Sequence, residues 1–265
     1  MNAADQARWR DKTVLVTGAT SGLGWAAAER FADGGANVVI HGRSAEAAKS
    51  VSESVTSRGG TALISLGDLA DPAAADDLVA AAAARFGAVD VIVNNAGANA
   101  FTGILDTTLD EWERCMAVDL RAAWLIVKHA TPYMSSGSAI VNVTSNHAKS
   151  SIPGAFPYNV AKAGMDALTR AMSLDLAPLG LRANAVAPGY IDTPINDVYF
   201  GSKPDPAVSR TRAERLHPLG RLGTSQEIAY AIEFLADSRL SGFTTGTVVT
   251  IDGGRLGILE DTEGE

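Results

Sequence analysis

The feature that most constrains this chain is a series of short apolar runs: Val14-Leu15-Val16, Val38-Val39-Ile40, Leu63-Ile64, Val91-Ile92-Val93, Ile140-Val141-Asn142-Val143 and Val248-Val249-Thr250-Ile251. Each is too short and too uniformly apolar to be a half-exposed strand, which points to strands covered on both faces, as in a parallel sheet. Between them lie stretches of helix-forming composition over Gly22 to Asp33, Ser44 to Arg58, Pro72 to Phe86, Glu111 to Tyr133, Ala155 to Ala177 and Gln226 to Ala236. Thr108 with Glu111, and Thr224 with Glu227, have the spacing of a capping box, in which hydroxyl and carboxylate satisfy free backbone donors at a helix start. Strand and helix in alternation predict an α/β, Rossmann-like doubly wound sheet with right-handed crossovers. The length of 265 residues fits one domain, 1–265, with a sizeable core. Asn196 to Leu216, with Tyr199, Phe200, Gly201 and two prolines, reads as a substrate-loop insertion, and 255–265 as a C-terminal tail with an acidic end.

Lys and Arg total 22 against 30 Asp and Glu, a net charge of −8, so no broad attraction to nucleic acid or to an anionic membrane is expected and the partner is a small molecule. The single cysteine, Cys115, excludes an internal disulfide and a Cys-rich zinc site, and the four histidines show no metal-ligand spacing, so no metal site is expected. Met1 to Lys12 is polar, without the apolar stretch of a secretory signal, and no run approaches bilayer length. The expected setting is cytoplasmic.

Directly after the first apolar run stands Thr17-Gly18-Ala19-Thr20-Ser21-Gly22-Leu23-Gly24. Its spacing is T-G-x-x-x-G-x-G, not G-x-G-x-x-G, but the physics is shared. Gly18, Gly22 and Gly24 let the backbone approach a pyrophosphate that faces the N–H groups and positive dipole end of the next helix. A plain glycine-rich turn is the competing reading of the same residues. The second run leads into His41-Gly42-Arg43-Ser44, with no carboxylate to bond a ribose 2′-hydroxyl. Arg43 offers a planar cation and Ser44 a hydroxyl to a 2′-phosphate, so NADP(H) is expected over NAD(H), which remains the second choice.

Tyr158 stands four residues before Lys162 and thirteen after Ser145. Within a helix, Tyr158 and Lys162 share a face, which brings a cation near a phenol. An isolated tyrosine ionises near pH 10. A cation about 4 Å away at an effective dielectric of about 20 contributes about 4 kcal/mol of gross attraction toward the phenolate. Tyr158 is therefore the expected proton donor or acceptor, Lys162 its modulator, and Ser145 the group that holds a reacting oxygen. Cys115 reads as ordinary packing, and His41 and His147 as loop histidines.

With Asn94-Asn95-Ala96-Gly97 after the fourth strand, Asp68-Leu69, Pro188-Gly189 followed by Thr193, and the closing Ile251-Asp252-Gly253-Gly254, the chain from Lys12 to Gly254 resembles the short-chain dehydrogenases/reductases. The resemblance implies a seven-stranded parallel sheet flanked by helices, and interconversion of a secondary alcohol and a ketone with a nicotinamide cofactor. It places Asp68 and Leu69 near the adenine, Asn95, Ala96 and Gly97 near the adenosine ribose, and Pro188, Gly189, Ile191 and Thr193 near the nicotinamide. Lys162 would bond the nicotinamide ribose, and Asn94 would brace neighbouring strands. It also implies a homotetramer, with helices around Asp119 and Tyr158 at one interface.

Two positions depart from the family pattern. Asp119 stands where Asn is usual, which puts a carboxylate near Lys162 and threatens its effect on Tyr158, while Ser21 stands where many NADP-using relatives carry a basic residue. Asn99, Asn146, His147, Tyr190 and the 196–216 segment are candidate substrate lining; they suit a sugar or polyol, with acyl or cyclic ketones as the alternative. A non-redox epimerase or dehydratase and a cofactor sensor are the rival classes.

Overall fold

The structure is a computed structural model, and it describes residues 7–98 and 100–258. The chain runs β1 (Thr13–Val16), α1 (Gly22–Ala32), β2 (Asn37–Gly42), α2 (Ala45–Ser57), β3 (Thr61–Leu66), α3 (Ala73–Phe86), β4 (Val91–Asn94), α4 (Leu109–Met116) and α5 (Ala122–Ala130). It continues with β5 (Ala139–Val143), α6 (Tyr158–Asp175), β6 (Arg182–Pro188), β7 (Ile191–Asp192), α7 (Pro194–Gly201), α8 (Pro206–Arg215), β8 (Gly223–Thr224), α9 (Ser225–Ala236), α10 (Ser238–Ser241) and β9 (Val248–Ile251). Seven strands form one sheet in the order β3-β2-β1-β4-β5-β6-β9, every neighbouring pair parallel. This is the doubly wound, Rossmann-like arrangement expected, and its order reverses between β1 and β4, the switch point where such sheets open a crevice.

The strand period of two divides the apolar runs between two cores. Val14, Val16, Val38, Ile40, Val91, Val93 and Val141 pack with Phe31 of α1 and Ile228 and Ile232 of α9 on one face. Leu15, Val39, Ile92 and Ile140 pack on the other with Leu78 of α3, Ile126 of α5 and Met172 of α6. Register aligns each layer: Leu15 lies beside Val39 and Ile92, which lies beside Ile140. Covered strands therefore need no polar alternation.

Three expectations require correction. The edge strand β3 is not covered, since Ile64 and Leu66 are exposed. A seventh strand, β6, forms from Arg182-Ala-Asn-Ala-Val-Ala-Pro188, outside the apolar runs, with Arg182 and Asn184 buried. Their polar groups are spent locally: Arg182 donates to the carbonyls of Leu235, Ala236 and Ser241, and Asn184 to that of Thr244. The stretch expected as one helix from Glu111 to Tyr133 is α4, a π-turn over Ala117–Arg121, α5 and a 3-10 turn. Both capping boxes form. The 196–216 segment is helical, as most of α7 and α8, and β7 pairs with β8 beneath it. Among the described residues, no helix is long and apolar enough to cross a membrane.

Candidate active site

A cavity of about 920 Å³ runs along the carboxyl ends of β1, β4, β5 and β6. It is near the upper limit of small-molecule sites. At one end the chain leaves β1 through Gly18, whose φ of +60° and whose missing Cβ, which would stand 2.9 Å from Ala96 Cα, both demand glycine. A Cβ on Gly24 would collide with the Gly18 carbonyl. Asn95 fixes this turn by donating its side-chain amide to the carbonyls of Thr17 and Gly18, at 2.9 and 3.1 Å. The backbone N–H groups of Asn95 and Ala96 donate to the Thr17 hydroxyl. Ser21 makes no side-chain cap to α1 and no acidic residue occupies its first turn, so the positive end of the helix dipole faces the cavity through Ser21, Gly22 and Leu23. A wall free of side chains against a helix N-terminus fits a pyrophosphate.

Asp68 and Leu69 line the same end, with Asp68 accepting from the Ala70 N–H and from Arg114 at 2.9 Å. The Ala70 N–H, with Arg114, holds its carboxyl below the usual range. Arg43 lies exposed on the rim and makes no close ion pair among the described residues, although its charge helps lower the pKa of Asp68. Ser44 does not reach the cavity; its hydroxyl accepts from the Ala47 N–H and caps α2. Gly24 lies behind the wall, not on it. His41, expected in a loop, is a buried residue of β2 that lines the cavity beside Arg43, and burial lowers its pKa. Asn94 ties β4 to β5 through Asn142 at 2.9 Å, as expected of a brace.

The reacting groups converge past the end of β5. Ser145 follows that strand; its Oγ accepts the His147 N–H at 3.1 Å, and its hydroxyl is hydrogen-bonded to the Tyr158 phenol. Tyr158 is the first residue of α6, half-buried, with its phenol in reach of the Ser145 hydroxyl. Lys162, one turn on and fully inside, has its Nζ 5.4 Å from the Tyr158 ring centroid and donates to the Val143 carbonyl at 3.2 Å. The same Nζ lies 3.2 Å from Asp119 Oδ1, and Asp119 Oδ2 accepts the Ala98 N–H at 2.7 Å. Asp119 sits in the π-turn, and Gly97 makes room for the pair: a Cβ there would stand 2.9 Å from Asp119 Oδ1.

This pairing changes the electrostatics expected of Tyr158. Burial pushes the phenol above its ordinary value; Lys162 and Ser145 oppose the shift, while Asp119 reinforces it. Burial alone would lower Lys162, but Asp119 and Tyr158 outweigh it and hold the ammonium charged. Burial raises Asp119 against the pull of Lys162 and the Ala98 N–H. Cys115 is packing, as expected: fully buried, with burial and then Asp119 pushing its thiol up to about 12.

Beyond Tyr158 the cavity is walled by Pro188, Gly189, Ile191 and Thr193 on one side. A Cβ on Gly189 would stand 2.9 Å from the Asp252 Cβ, so the backbone there passes close to the end of β9. Thr193 begins α7 and its hydroxyl donates to the Ile191 carbonyl at 3.3 Å. Of the candidate lining, Asn146, His147, Tyr190 and, from the 196–216 segment, Asn196, Val198 and Tyr199 reach the cavity, although the Asn196 amide is held by the Ile191 carbonyl; Asn99 lies outside the described residues. His147 is part of a 3-10 turn rather than an open loop, with its ring edge-on to Tyr158 and Phe101. Sequence reasoning missed Phe101, which stacks on Tyr158 at 4.9 Å, and Arg255, which enters from the segment read as a tail. Phe101 stands in a connection with no periodicity to mark it; only its joining to Pro157 in an isolated bridge brings it to the site. Arg255 follows the Asp252-Gly253-Gly254 turn, which was the available signal.

Comparison with known proteins agrees with this geometry. The family profile described as enoyl-(acyl carrier protein) reductase matches residues 18–255. A cis-4-hydroxycyclohexanecarboxylate dehydrogenase of Sinomonas cyclohexanicum is 40% identical over 247 residues, covering 92% of this chain and 96% of that protein. An L-rhamnose 1-dehydrogenase (NAD(P)(+)) of Azotobacter vinelandii is 40% identical over 255 residues, with the same two coverages of 92% and 96%. A short-chain dehydrogenase of Burkholderia cenocepacia, solved in complex with NADP, superposes with a TM-score of 0.87 at 31% identity, covering 94% of this chain and 99% of that one. Shared length, fold and site order lead to one conclusion: the chain belongs to the short-chain dehydrogenase/reductase family, oxidoreductases that interconvert CH–OH and C=O groups.

Proposed function

We propose that this protein is an NADP(H)-preferring reductase of a cyclic ketone to its secondary alcohol, with Tyr158 as the general acid. The observation that carries the reading is the meeting of Tyr158, Ser145 and Lys162 in a cavity whose other end begins at the glycine turn. Bound there, the nicotinamide cofactor supplies or accepts the hydride. Ser145, hydrogen-bonded to Tyr158, turns its hydroxyl to the substrate oxygen when substrate binds and stabilises the charge developing on it. Tyr158 delivers the proton that completes the alcohol, and in the reverse direction receives it. Lys162 anchors the cofactor's ribose and limits the cost of a phenolate beside it. Burial and then Asp119 push the Tyr158 phenol above its ordinary value against Lys162 and Ser145, which suits it to donate a proton to the substrate oxygen.

Arg43 supports NADP(H), since an exposed guanidinium that makes no close ion pair among the described residues, though its charge reaches Asp68, suits a 2′-phosphate. Aromatic walls from Phe101, Tyr190 and Tyr199 favour a ring-shaped substrate over an open-chain polyol. The names of the Sinomonas and Azotobacter relatives, a cyclohexane hydroxy acid and a sugar, fit that reading. The test is oxidation of NADPH, followed at 340 nm, with a panel of cyclic and acyclic ketones. Tyr158→Phe is expected to bind NADPH normally and to lose about 10²- to 10⁴-fold in kcat. Retained turnover in that variant refutes the assignment.

A further inference from the structure

Arg255 is a half-buried cation at the substrate end of the cavity, and the chain fixes it with care. It opens the 3-10 turn Arg255–Gly257 just after β9. The buried Asp252 carboxylate accepts the Gly254 N–H at 3.1 Å and the Leu256 N–H at 2.9 Å, while the Arg255 N–H donates to the Asp252 carbonyl at 3.1 Å. Gly253 and Gly254, at φ of +60° and +89°, adopt the left-handed backbone the turn requires. The guanidinium then lies over the Tyr190 ring, 5.0 Å from its centroid. Tyr190 is itself held from behind, its N–H donating to His217 Nε2 at 3.4 Å, while His217 Nδ1 faces the Ala213 carbonyl at 2.8 Å.

Among the described residues Arg255 makes no ion pair, whereas two other cations lining the cavity do: exposed Arg114 with Asp68, and buried Lys162 with Asp119. The third carboxylate on the cavity wall, Glu111, is bonded to Thr108. Arg43, the remaining cation, stands on the rim at the nucleotide end. A charge drawn from water into an aromatic cleft is costly unless a partner meets it. Arg255 also donates to the Tyr190 hydroxyl; a guanidinium has five N–H donors, so edge donors remain in the geometry that grips a carboxylate in two places. Arg255 and Tyr158 border one chamber: His147 has its ring 6.3 Å from that of Tyr158, and its pKa is lowered first by burial and then by the charge of Arg255. A neutral His147 adds no rival cation. Phe101 stacks on Tyr158, Tyr199 stacks against Tyr190, and Ile152 also lines the cavity, so the chamber offers apolar surface.

We propose that Arg255 is the carboxylate-binding residue of this site, so that the substrate is a keto acid or hydroxy acid with a compact apolar body between its reacting carbon and its carboxylate. This deepens the ketone reductase reading and rests on it. The test compares 4-oxocyclohexanecarboxylate with its neutral carboxamide, NADPH in excess, in the wild type and in Arg255→Gln and Arg255→Lys. The wild type is expected to prefer the acid. In Arg255→Gln the ratio of kcat/KM for acid over amide falls on the order of 10- to 100-fold, mainly through the KM of the acid, and Arg255→Lys recovers part of it. Equal losses for acid and amide, or an unchanged ratio, overturn the proposal. A second arm needs no turnover: cyclohexanecarboxylate and cyclohexanecarboxamide are titrated calorimetrically into the NADP⁺-loaded enzyme. Carboxylate binding that disappears in Arg255→Gln supports the subsite even if no ketone is reduced, in which case the reductase reading alone fails. Ketone reduction with carboxylate affinity indifferent to residue 255 leaves the reductase reading standing and removes the subsite. Tight NADPH binding by each variant shows that it has folded.

Discussion

Lys162 acts on Tyr158 only to the extent that its charge is not already answered, and in this chain Asp119 answers it at 3.2 Å. Asn in that place would offer a dipole where this protein has a full charge. Because Asp119 helps to raise the Tyr158 phenol, Asp119→Asn removes an upward influence and lets Lys162 act more fully. The group needed for alcohol oxidation is the phenolate, so its activity in Asp119→Asn rises at a lower pH than in the wild type. The group needed for reduction is the phenol, so the alkaline loss of ketone reduction also moves to lower pH. Superimposable pH–rate profiles of kcat/KM would show that the carboxylate does not influence the phenol. A second residue-scale prediction concerns Arg43. Replacing it with alanine weakens NADPH binding by about 10- to 100-fold through loss of charge-assisted bonds to a phosphate, and NADH binding far less. Similar losses for the two cofactors, measured by fluorescence titration, would refute the role given to Arg43. Of these groups, Tyr158 and Lys162 were legible in the sequence because helix geometry alone places residues four apart on one face. The pairing of Lys162 with Asp119 was foreseen as proximity only. Its strength depends on the π-turn and on the space left by Gly97, which no spacing rule supplies.

At the scale of elements, the apolar runs gave away the strands whose neighbours cover both faces, and the capping boxes gave away the starts of α4 and α9. The strand β6 escaped because its signal is inverted. Arg182 and Asn184 look like the polar residues of an exposed segment, yet both are buried, their donors taken by backbone carbonyls at the ends of α9 and α10 and beyond. Hydrophobicity cannot reveal a strand whose polar groups find partners only after the fold is complete. The same fact makes β6 fragile. Arg182→Met keeps much of the volume but takes this donor from the carbonyls of Leu235, Ala236 and Ser241. The Leu235 carbonyl keeps the Ser241 hydroxyl and that of Ser241 keeps the Thr244 N–H, while that of Ala236 becomes a buried unsatisfied acceptor, which costs about 1–3 kcal/mol beyond the other hydrogen bonds lost. The expected result is a fall in Tm of roughly 5–15 °C, measured by differential scanning calorimetry. A variant that melts with the wild type would mean that water or neighbouring groups satisfy these carbonyls. The cost reaches the site as well, since β6 ends in Pro188 and leads into Gly189, which line the cavity.

For the whole molecule, the unexplained feature is how much apolar surface the helices leave uncovered. Tyr230 and Phe234 share one face of α9, and Leu240 and the fully exposed Phe243 follow at the end of α10. A second group lies on the long helices beside the site, with Trp124 on α5 and Val160 and Leu174 on α6. Large aromatic side chains grouped on helix faces are the mark of protein contacts rather than of a solvated wall. The net charge of −8 sharpens the point, because copies that repel one another at long range need apolar contact to stay together. These two groups are the surfaces expected at the two symmetric contacts of the homotetramer that the family resemblance implies. The wild-type protein is therefore expected to sediment at a four-chain mass at micromolar concentration, and Phe234→Glu combined with Phe243→Glu at a two-chain mass, with the contact through α5 and α6 retained. Trp124→Glu attacks the other contact and is expected to halve the assembly along the alternative axis. A wild type that sediments as a single chain removes both contacts, and one that stays a tetramer in all variants moves them to surfaces other than these.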